Sequence, residues 1–457
     1  MTPNDPARYR DLAEAAWRWV LDQVRWADGP WVPFSVAVEG GVDGGADGST
    51  PNQYRDGIHE GIGGLAYVLA ELQLSRPWTD EETDVSLAVA QRVRSQTPTA
   101  TDVSFFDGLT STLGILVALD ATGADHAVRR LLDTCLDDGW PKASPSPERY
   151  LPEIRYTDAT VGTASVLLGA VWGMRNGVAG ARELAERTAS ILLAEAEPVS
   201  TGLSWRYVPL RFLKVARPEM PNWSHGLAGV AATLALAGVE LGRPDLLHAA
   251  RLGAEHLVTL ADRCGGGFVV PISSLAVDPA LAEPVSYGWC HGPTGTSLLF
   301  LALHRAGVSE VAGQPTTSWY ARGRHSVRTS GLPDRQRPGF WDNDGRCCGT
   351  AGVGDAFLDA YARAGDDADL ALAVELADAL VERAVETNGH AYWRFVEHRN
   401  AEPLLPPGVG WMQGAAGIAA YLFRLARVLD TGRNVPAVRR MENWWAVDPG
   451  SSRSSGE

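Results

Sequence analysis

The chain has 457 residues, 45% of them hydrophobic and 21% charged, which suits a globular protein with a large core. A formal net charge of −15 argues against nucleic-acid binding, which needs a basic field. No apolar run reaches the roughly 20 residues that span a bilayer. The N-terminus lacks the basic and apolar regions of a secretory signal, so a cytoplasmic location without stable membrane insertion is expected.

Residues 38–57 are rich in Gly and Asp and read as a loop. After them comes the first of seven copies of one short unit. Each copy has a residue, usually polar, then Gly-x-x-Gly or Gly-x-x-Ser, then an apolar helical run. The leading glycines are Gly61, Gly108, Gly162, Gly226, Gly292, Gly349 and Gly414, spaced by 47, 54, 64, 66, 57 and 65 residues. Each interval has room for two helices and their loops.

The second helices carry charged faces. Thr79-Asp80-Glu81-Glu82 reads as a capping box opening the run at 85–93. Segments 182–196, 245–260 and 369–385 are amphipathic in the same way. The helices that follow the glycine turns are apolar nearly all round, as at 230–239 and 418–425. A helix apolar on all sides is buried, and one with a charged face is external. The alternation predicts an all-α fold, an α/α toroid of seven inner and seven outer helices, in one domain over residues 1–446. Small residues at the first and fourth positions of each turn would let neighbouring inner helices approach closely. The residue before each leading glycine would then face a cleft at one end of the ring, gathering Glu60, Asp107, His225, His291, Cys348 and Gln413.

Residues 313–346 read as an irregular insertion with a weak helix near 318–327, whose arginines would cover the approach to Cys347. Residues 447–457 read as a disordered tail.

Five cysteines in a long chain argue against a disulfide framework. Cys135 lies in an apolar helical run and reads as a core residue; Cys264 lies in a glycine turn. The other three stand at equivalent places in consecutive units: Cys290 in Trp289-Cys290-His291-Gly292, and Cys347-Cys348 in Arg346-Cys347-Cys348-Gly349. Three soft thiolates brought together this way form a zinc site with an open fourth position. Such a site suits a sulfur nucleophile better than amide hydrolysis, which usually employs His and carboxylate ligands.

The ordered set of turns, with Ser224-His225-Gly226, Trp289-Cys290-His291-Gly292 and Cys348-Gly349, resembles the LanC lanthionine synthetase cyclases over roughly residues 50–430. The resemblance implies zinc held by Cys290, Cys347 and Cys348, with Cys348 where most of the family has a histidine. It further implies His225 as acid/base and Asp158 as the active-site aspartate. Ser286 stands where an arginine is frequent, and His291 replaces a commonly aromatic residue. Three thiolates make the metal a poorer Lewis acid than two thiolates and an imidazole, and leave a bound thiolate more electron-rich. The implied reaction adds peptide Cys thiols to dehydroalanine or dehydrobutyrine. Its partners would be a dehydrated precursor peptide and a separate dehydratase or kinase/lyase enzyme.

Other readings are intermolecular addition of a thiol such as glutathione, a non-catalytic peptide-binding scaffold, and a glycan-active toroid. The last needs paired catalytic carboxylates, for which only Glu60 and Asp107 offer themselves. Asp158 could equally cap its helix, and His291 reads as supporting the site rather than acting in it.

Overall fold

The glycine turns determine which helices are inside. A computed structural model describes residues 5–37, 51–215, 218–273, 285–334, 343–396 and 404–447. Its helices in chain order are α1 (Pro6–Asp22), α2 (Leu65–Gln73), α3 (Asp80–Gln96), α4 (Leu109–Ala118), α5 (Ala124–Thr134), α6 (Thr163–Arg175), α7 (Ala181–Ala194) and α8 (Leu227–Leu241). They continue with α9 (Pro244–Leu260), α10 (Pro293–Thr296), α11 (Leu298–Arg305), α12 (Thr316–Arg328), α13 (Thr350–Ala364), α14 (Asp367–Arg383), α15 (Ala415–Thr431) and α16 (Trp444–Val447). The inner helices are α2, α4, α6, α8, the α10–α11 pair, α13 and α15. Each packs against an outer helix, and neighbouring inner helices pack in sequence, least so α11 and α13, until α15 meets α2. This is the α/α toroid. No helix among the described residues is long and apolar enough to cross a membrane.

Seven inner units give only six intervals for outer helices. The seventh outer helix is α1, which precedes the first unit and packs on α15, the last inner helix. Its buried face holds Tyr9, Leu12, Ala13, Ala16, Trp17 and Val20. The indole of Trp17 donates to Glu82 Oε1 at 2.7 Å. Glu82 also completes the capping box with Thr79 at the start of α3, as its sequence predicts. The N-terminal helix is thereby tied to both ends of the repeat series.

The turns are joined edge to edge by hydrogen bonds. Consider the carbonyl two residues before each leading glycine. Phe106 O accepts from Ile58 N (2.5 Å), Thr160 O from Phe105 N (2.7 Å), and Cys290 O from Ser224 N (2.9 Å). Cys347 O accepts from Trp289 N and Cys290 N, Met412 O from Arg346 N and Cys347 N, and His59 O from Met412 N, which closes the circle. At the remaining joint the carbonyl of Ser224 faces the Thr160 hydroxyl at 3.2 Å. Buried backbone groups must be paired, and here they are paired between units rather than within them.

The leading glycines are required for space. Gly226 and Gly349 have extended backbones with negative φ, so no left-handed conformation is at issue. A Cβ on Gly226 would overlap the carbonyl of Met220, and one on Gly349 the carbonyl of Asn343. The expectation for the fourth turn position needs amending. At Gly229 and Gly417 a Cβ would strike the turn's own carbonyl (Trp223, Trp411) as well as the neighbouring unit (Ala159, Arg346). Small residues there serve the fold of each turn as much as the approach of helices.

Of the span read as irregular, residues 335–342 lie outside the described residues. The rest contains a regular outer helix, α12, entered by a short hairpin of Glu310–Val311 and Gln314–Pro315. Its buried positions Thr316, Trp319, Tyr320, Gly323, Ser326 and Val327 do follow a helical period. The arginines between them mask that period. Arg324 and Arg328 pair with the buried Asp369 on α14, and Arg328 also lies over Phe357 on α13, so both brace α12 against its neighbours. Residues 38–50 of the glycine-rich loop and residues 448–457 of the tail also lie outside the described residues; 51–57 form turns.

Ring closure through α1 is testable. Trp17→Ala removes a fully buried side chain and a buried hydrogen bond, so it should cost about 3–5 kcal/mol in denaturant unfolding. A loss below about 1 kcal/mol would show that α1 is dispensable to the ring.

Candidate metal centre and adjoining histidine

The edge-to-edge bonds bring Cys290 and the Cys347-Cys348 pair together, because Cys347 O takes both Trp289 N and Cys290 N. Cys290 Sγ lies 3.0 Å from Cys348 Sγ, and Cys348 Sγ lies 3.4 Å from Cys347 Sγ. All three thiols are buried, and their sulfurs converge within 4.8 Å of one another. His291 Nδ1 stands 3.0 Å from Cys290 Sγ. Cys135 is buried and Cys264 exposed, and neither belongs to this cluster.

The cluster favours a single negative charge. Hydrogen bonds from Cys290 and Cys348 hold Cys347 well below the ordinary thiol range. Hydrogen bonding to Cys347 and Cys348, with burial, pushes Cys290 well above it. A second and third deprotonation therefore need a cation. Three converging buried sulfurs are a donor set that fits zinc. Burial lowers the His291 imidazole to about 4, so it is neutral at working pH.

One turn away, the ring brings Asp158 and His225 into contact across 67 residues of sequence. His225 Nδ1 is 2.8 Å from Asp158 Oδ2, and Asp158 is fully buried. The Thr160 hydroxyl lies 2.7 Å from the same carboxylate oxygen. The backbone N–H of Val161 approaches both carboxylate oxygens at 3.3 and 3.4 Å. Asp158 is thus held by its own turn while it holds the histidine. The helix cap itself is Gly162, so the capping alternative for Asp158 does not describe its place. With Nδ1–H given to the carboxylate, Nε2 is the ring nitrogen left for proton exchange. The His225 side chain is 31% exposed, enough to meet a ligand. Its ring centroid is 5.7 Å from that of His291, so the series Asp158, His225, His291, Cys290 is continuous.

Two contributors escaped the sequence. Thr160 occupies the same turn position as Cys290 and Cys347, so the repeat alignment itself was a signal for it. Tyr207 lies edge-on to His225 at 5.2 Å and against Tyr156 at 4.7 Å. It comes from a loop between units with no motif of its own, placed by the bond from Thr157 N to Tyr207 O (3.1 Å). The middle of the ring at turn level is closed by aromatics: Phe106 meets Trp289 at 5.8 Å, and Trp289 meets Trp223 at 6.2 Å.

By the order of the units, Gln413, Glu60 and Asp107 occupy the arc away from the dyad. Glu60 accepts from Asn52 Nδ2 at 2.9 Å. Burial pushes the Asp107 carboxyl up to about 7, partly offset by His59 nearby.

Comparison with known proteins agrees with this architecture. The solved structure of nisin cyclase superimposes with a TM-score of 0.50 at 13% identity, covering 83% of this chain and 93% of that one. A sugar epimerase from a ruminal bacterium (TM-score 0.49, 10% identity, 92% and 98% covered) and a D-mannose isomerase (0.48, 13%, 92% and 98%) also match. No curated protein matches the sequence. The model of the lanthionine synthetase C-like proteins matches residues 52–430, a span that contains all seven glycine turns. Since that match covers most of the chain, the protein belongs to the lanthionine synthetase C-like family.

Proposed function

We propose that this protein is a zinc-dependent cyclase that adds peptide Cys thiols to dehydroalanine or dehydrobutyrine, forming lanthionine or methyllanthionine thioethers. The observation that carries the reading is the juxtaposition of three converging thiols with the Asp158–His225 pair. Family membership supports the reaction class, and the nisin cyclase likeness supports the fold on which it would run.

Cys290, Cys347 and Cys348 would hold the ion. Zinc held there would supply Lewis acidity that lowers the pKa of a substrate thiol. The protein's own groups then manage the proton. Addition forms a carbon–sulfur bond at the β-carbon of the dehydro residue and moves the π-electron pair toward the carbonyl. A proton must then be delivered to the α-carbon. His225 Nε2 is the candidate donor: its ring is exposed to the cleft and its other nitrogen is fixed by Asp158. Asp158 stabilises the imidazolium before it gives up its proton. His291, neutral and hydrogen-bonded to Cys290 Sγ, orients that thiolate and draws off some of its charge.

The substrate in this reading is a peptide already dehydrated at Ser or Thr. Elimination of water is a different reaction and falls to a separate enzyme, a dehydratase or a kinase/lyase.

Protein purified without chelator should carry one zinc per chain by elemental analysis. Cys348→Ala should lose the metal, whereas Cys348→His should keep it and cyclise more slowly. Zinc bound as tightly by Cys348→Ala as by wild type would remove Cys348 from the ligand set. Treatment with a strong chelator should abolish ring formation, and zinc should restore it.

His225→Asn should retain zinc but slow cyclisation by roughly 10²–10⁴-fold, the usual span for a general acid or base. Asp158→Asn should also retain zinc, with a smaller loss. The assay is mass spectrometry of a dehydrated peptide, with a thiol-alkylating reagent marking uncyclised Cys. Ring formation by His225→Asn at the wild-type rate would leave the proton to solvent. Consumption of added glutathione in place of the peptide's own thiol would convert the reading to intermolecular addition.

A further inference from the structure

The chain beyond the family match, which ends at residue 430, turns back into the ring. Every other pair of neighbouring inner helices packs together directly; α11 and α13 do so least, and α16 touches both. These are the two helices whose N-terminal turns carry the thiols. Helix α11 continues from the Cys290-His291-Gly292 turn through α10, and α13 starts at Thr350, directly after Cys347-Cys348-Gly349.

The insertion is held on both sides. On the α11 side, Trp445 Nε1 donates to Leu298 O at 3.1 Å. On the α13 side, Arg363 Nη2 donates to the carbonyls of Trp445 (2.7 Å) and Ala446 (2.6 Å). Trp444 and Trp445 are each 1% exposed. The ring of Trp445 lies 5.7 Å from Trp223, which lies 6.2 Å from Trp289, the residue before Cys290.

A second route reaches the other thiols through charge. Arg440 Nη2 bonds Asp355 Oδ2 at 2.8 Å. The same carboxylate oxygen takes the guanidinium of Arg346, the residue before Cys347. Arg346 also stacks on Trp411 at 4.2 Å. Arg424 and Asp359 complete the group at 2.6 Å, and Glu442 answers Arg440 at 2.6 Å. Three arginines thus meet three carboxylates, all buried. A buried charge left without its partner is strongly unfavourable, so these members hold one another in register.

We propose that the segment 440–447 is a positioning wedge for the metal centre. It sets the separation of α11 and α13, and hence of Cys290 from Cys347 and Cys348, through Trp445 on one side and Arg440, Asp355 and Arg346 on the other. None of its residues touches the thiols; it acts through the two helices. The inference rests on the reading of the thiols as a metal centre.

The test uses the full chain loaded with Co²⁺, whose d–d and thiolate-to-metal bands report ligand geometry, and Zn²⁺ affinity from competition with a chromogenic chelator. Trp445→Ala should weaken zinc about tenfold or more, the range found when groups behind metal ligands are removed, and should shift the cobalt bands. Trp17→Ala is the control. It deletes an equally buried indole between α1 and α15 and should lower stability without changing either metal readout. Arg440→Gln probes the second route and should act as Trp445→Ala does. If one of the two variants fails to fold, the other decides. If neither folds, Arg346→Lys decides, because it keeps the charge but gives up the stacking on Trp411. Folded variants with wild-type cobalt spectra and zinc affinity within twofold would overturn the wedge, as would a Trp17→Ala protein that loses metal equally. A wild-type chain that takes up no cobalt would instead overturn the metal centre itself, and the wedge with it.

Discussion

Everything in this molecule that looks like chemistry depends on a circle of backbone hydrogen bonds. Seven glycine turns lie side by side, and the carbonyl two residues before each leading glycine faces a donor from the preceding unit. The circle closes where Met412 N meets His59 O at 2.9 Å. Because the bonds run between units, a turn cannot move outward without leaving a buried donor or acceptor unpaired, at roughly 1–3 kcal/mol each. The glycines are the condition for this. They let each turn fold tightly on its own preceding carbonyl, which is why a Cβ at Gly226 or Gly349 has nowhere to go. Groups 67 residues apart, such as Asp158 and His225, are thus held at 2.8 Å without any local sequence relation.

The circle has two unlike halves. Units three to six supply Asp158, His225, His291 and the thiols; units seven, one and two supply Gln413, Glu60 and Asp107. The thiol side settles with one negative charge shared among three sulfurs, while Cys290 is held protonated. A divalent cation held there would replace the two protons that this arrangement does not otherwise release. The identity of residue 348 matters for that balance. A thiol there adds a negative charge that a histidine would not, and His291, neutral beside Cys290, offsets part of it with a hydrogen bond rather than a charge.

How much of this could be read in advance follows from the range of each interaction. The turns, the thiols and His225 were legible because glycine spacing and residue position recur in register. Once units are aligned, Cys290 and Cys347 stand at the same place. The outer helices were legible where their charged faces were clean, as at 182–196, and not where arginines interrupted the buried face, as in α12. Residue-by-residue periodicity could not show that Pro6–Asp22 is the seventh outer helix, because that depends on which end of the chain meets the last unit. Tyr207 was invisible for a related reason: one backbone bond to Thr157 places it, and neither residue belongs to a repeated pattern. The buried group of Arg346, Asp355 and Arg440 joins residues up to 94 positions apart, so no window of sequence contains it.

The turn also separates fold from chemistry. The position before the leading glycine is occupied by Glu60, Asp107, Val161, His225, His291, Cys348 and Gln413 in seven copies of one backbone arrangement. The circle engages main-chain groups of the positions just before it, so this side chain is free of structural duty. A carboxylate, an imidazole, a thiol or an isopropyl group can stand there without breaking a bond between units. The residue two before the glycine is less free, since its carbonyl is always engaged. It is there that Thr160 lends a hydroxyl at the joint where no main-chain donor meets the Ser224 carbonyl. The same hydroxyl lies 2.7 Å from Asp158 and 3.1 Å from His225 Nδ1. At that joint the fold and the Asp158–His225 pair share one oxygen atom. A substitution of Thr160 therefore cannot alter one without the other, in contrast to changes one residue further along the turn.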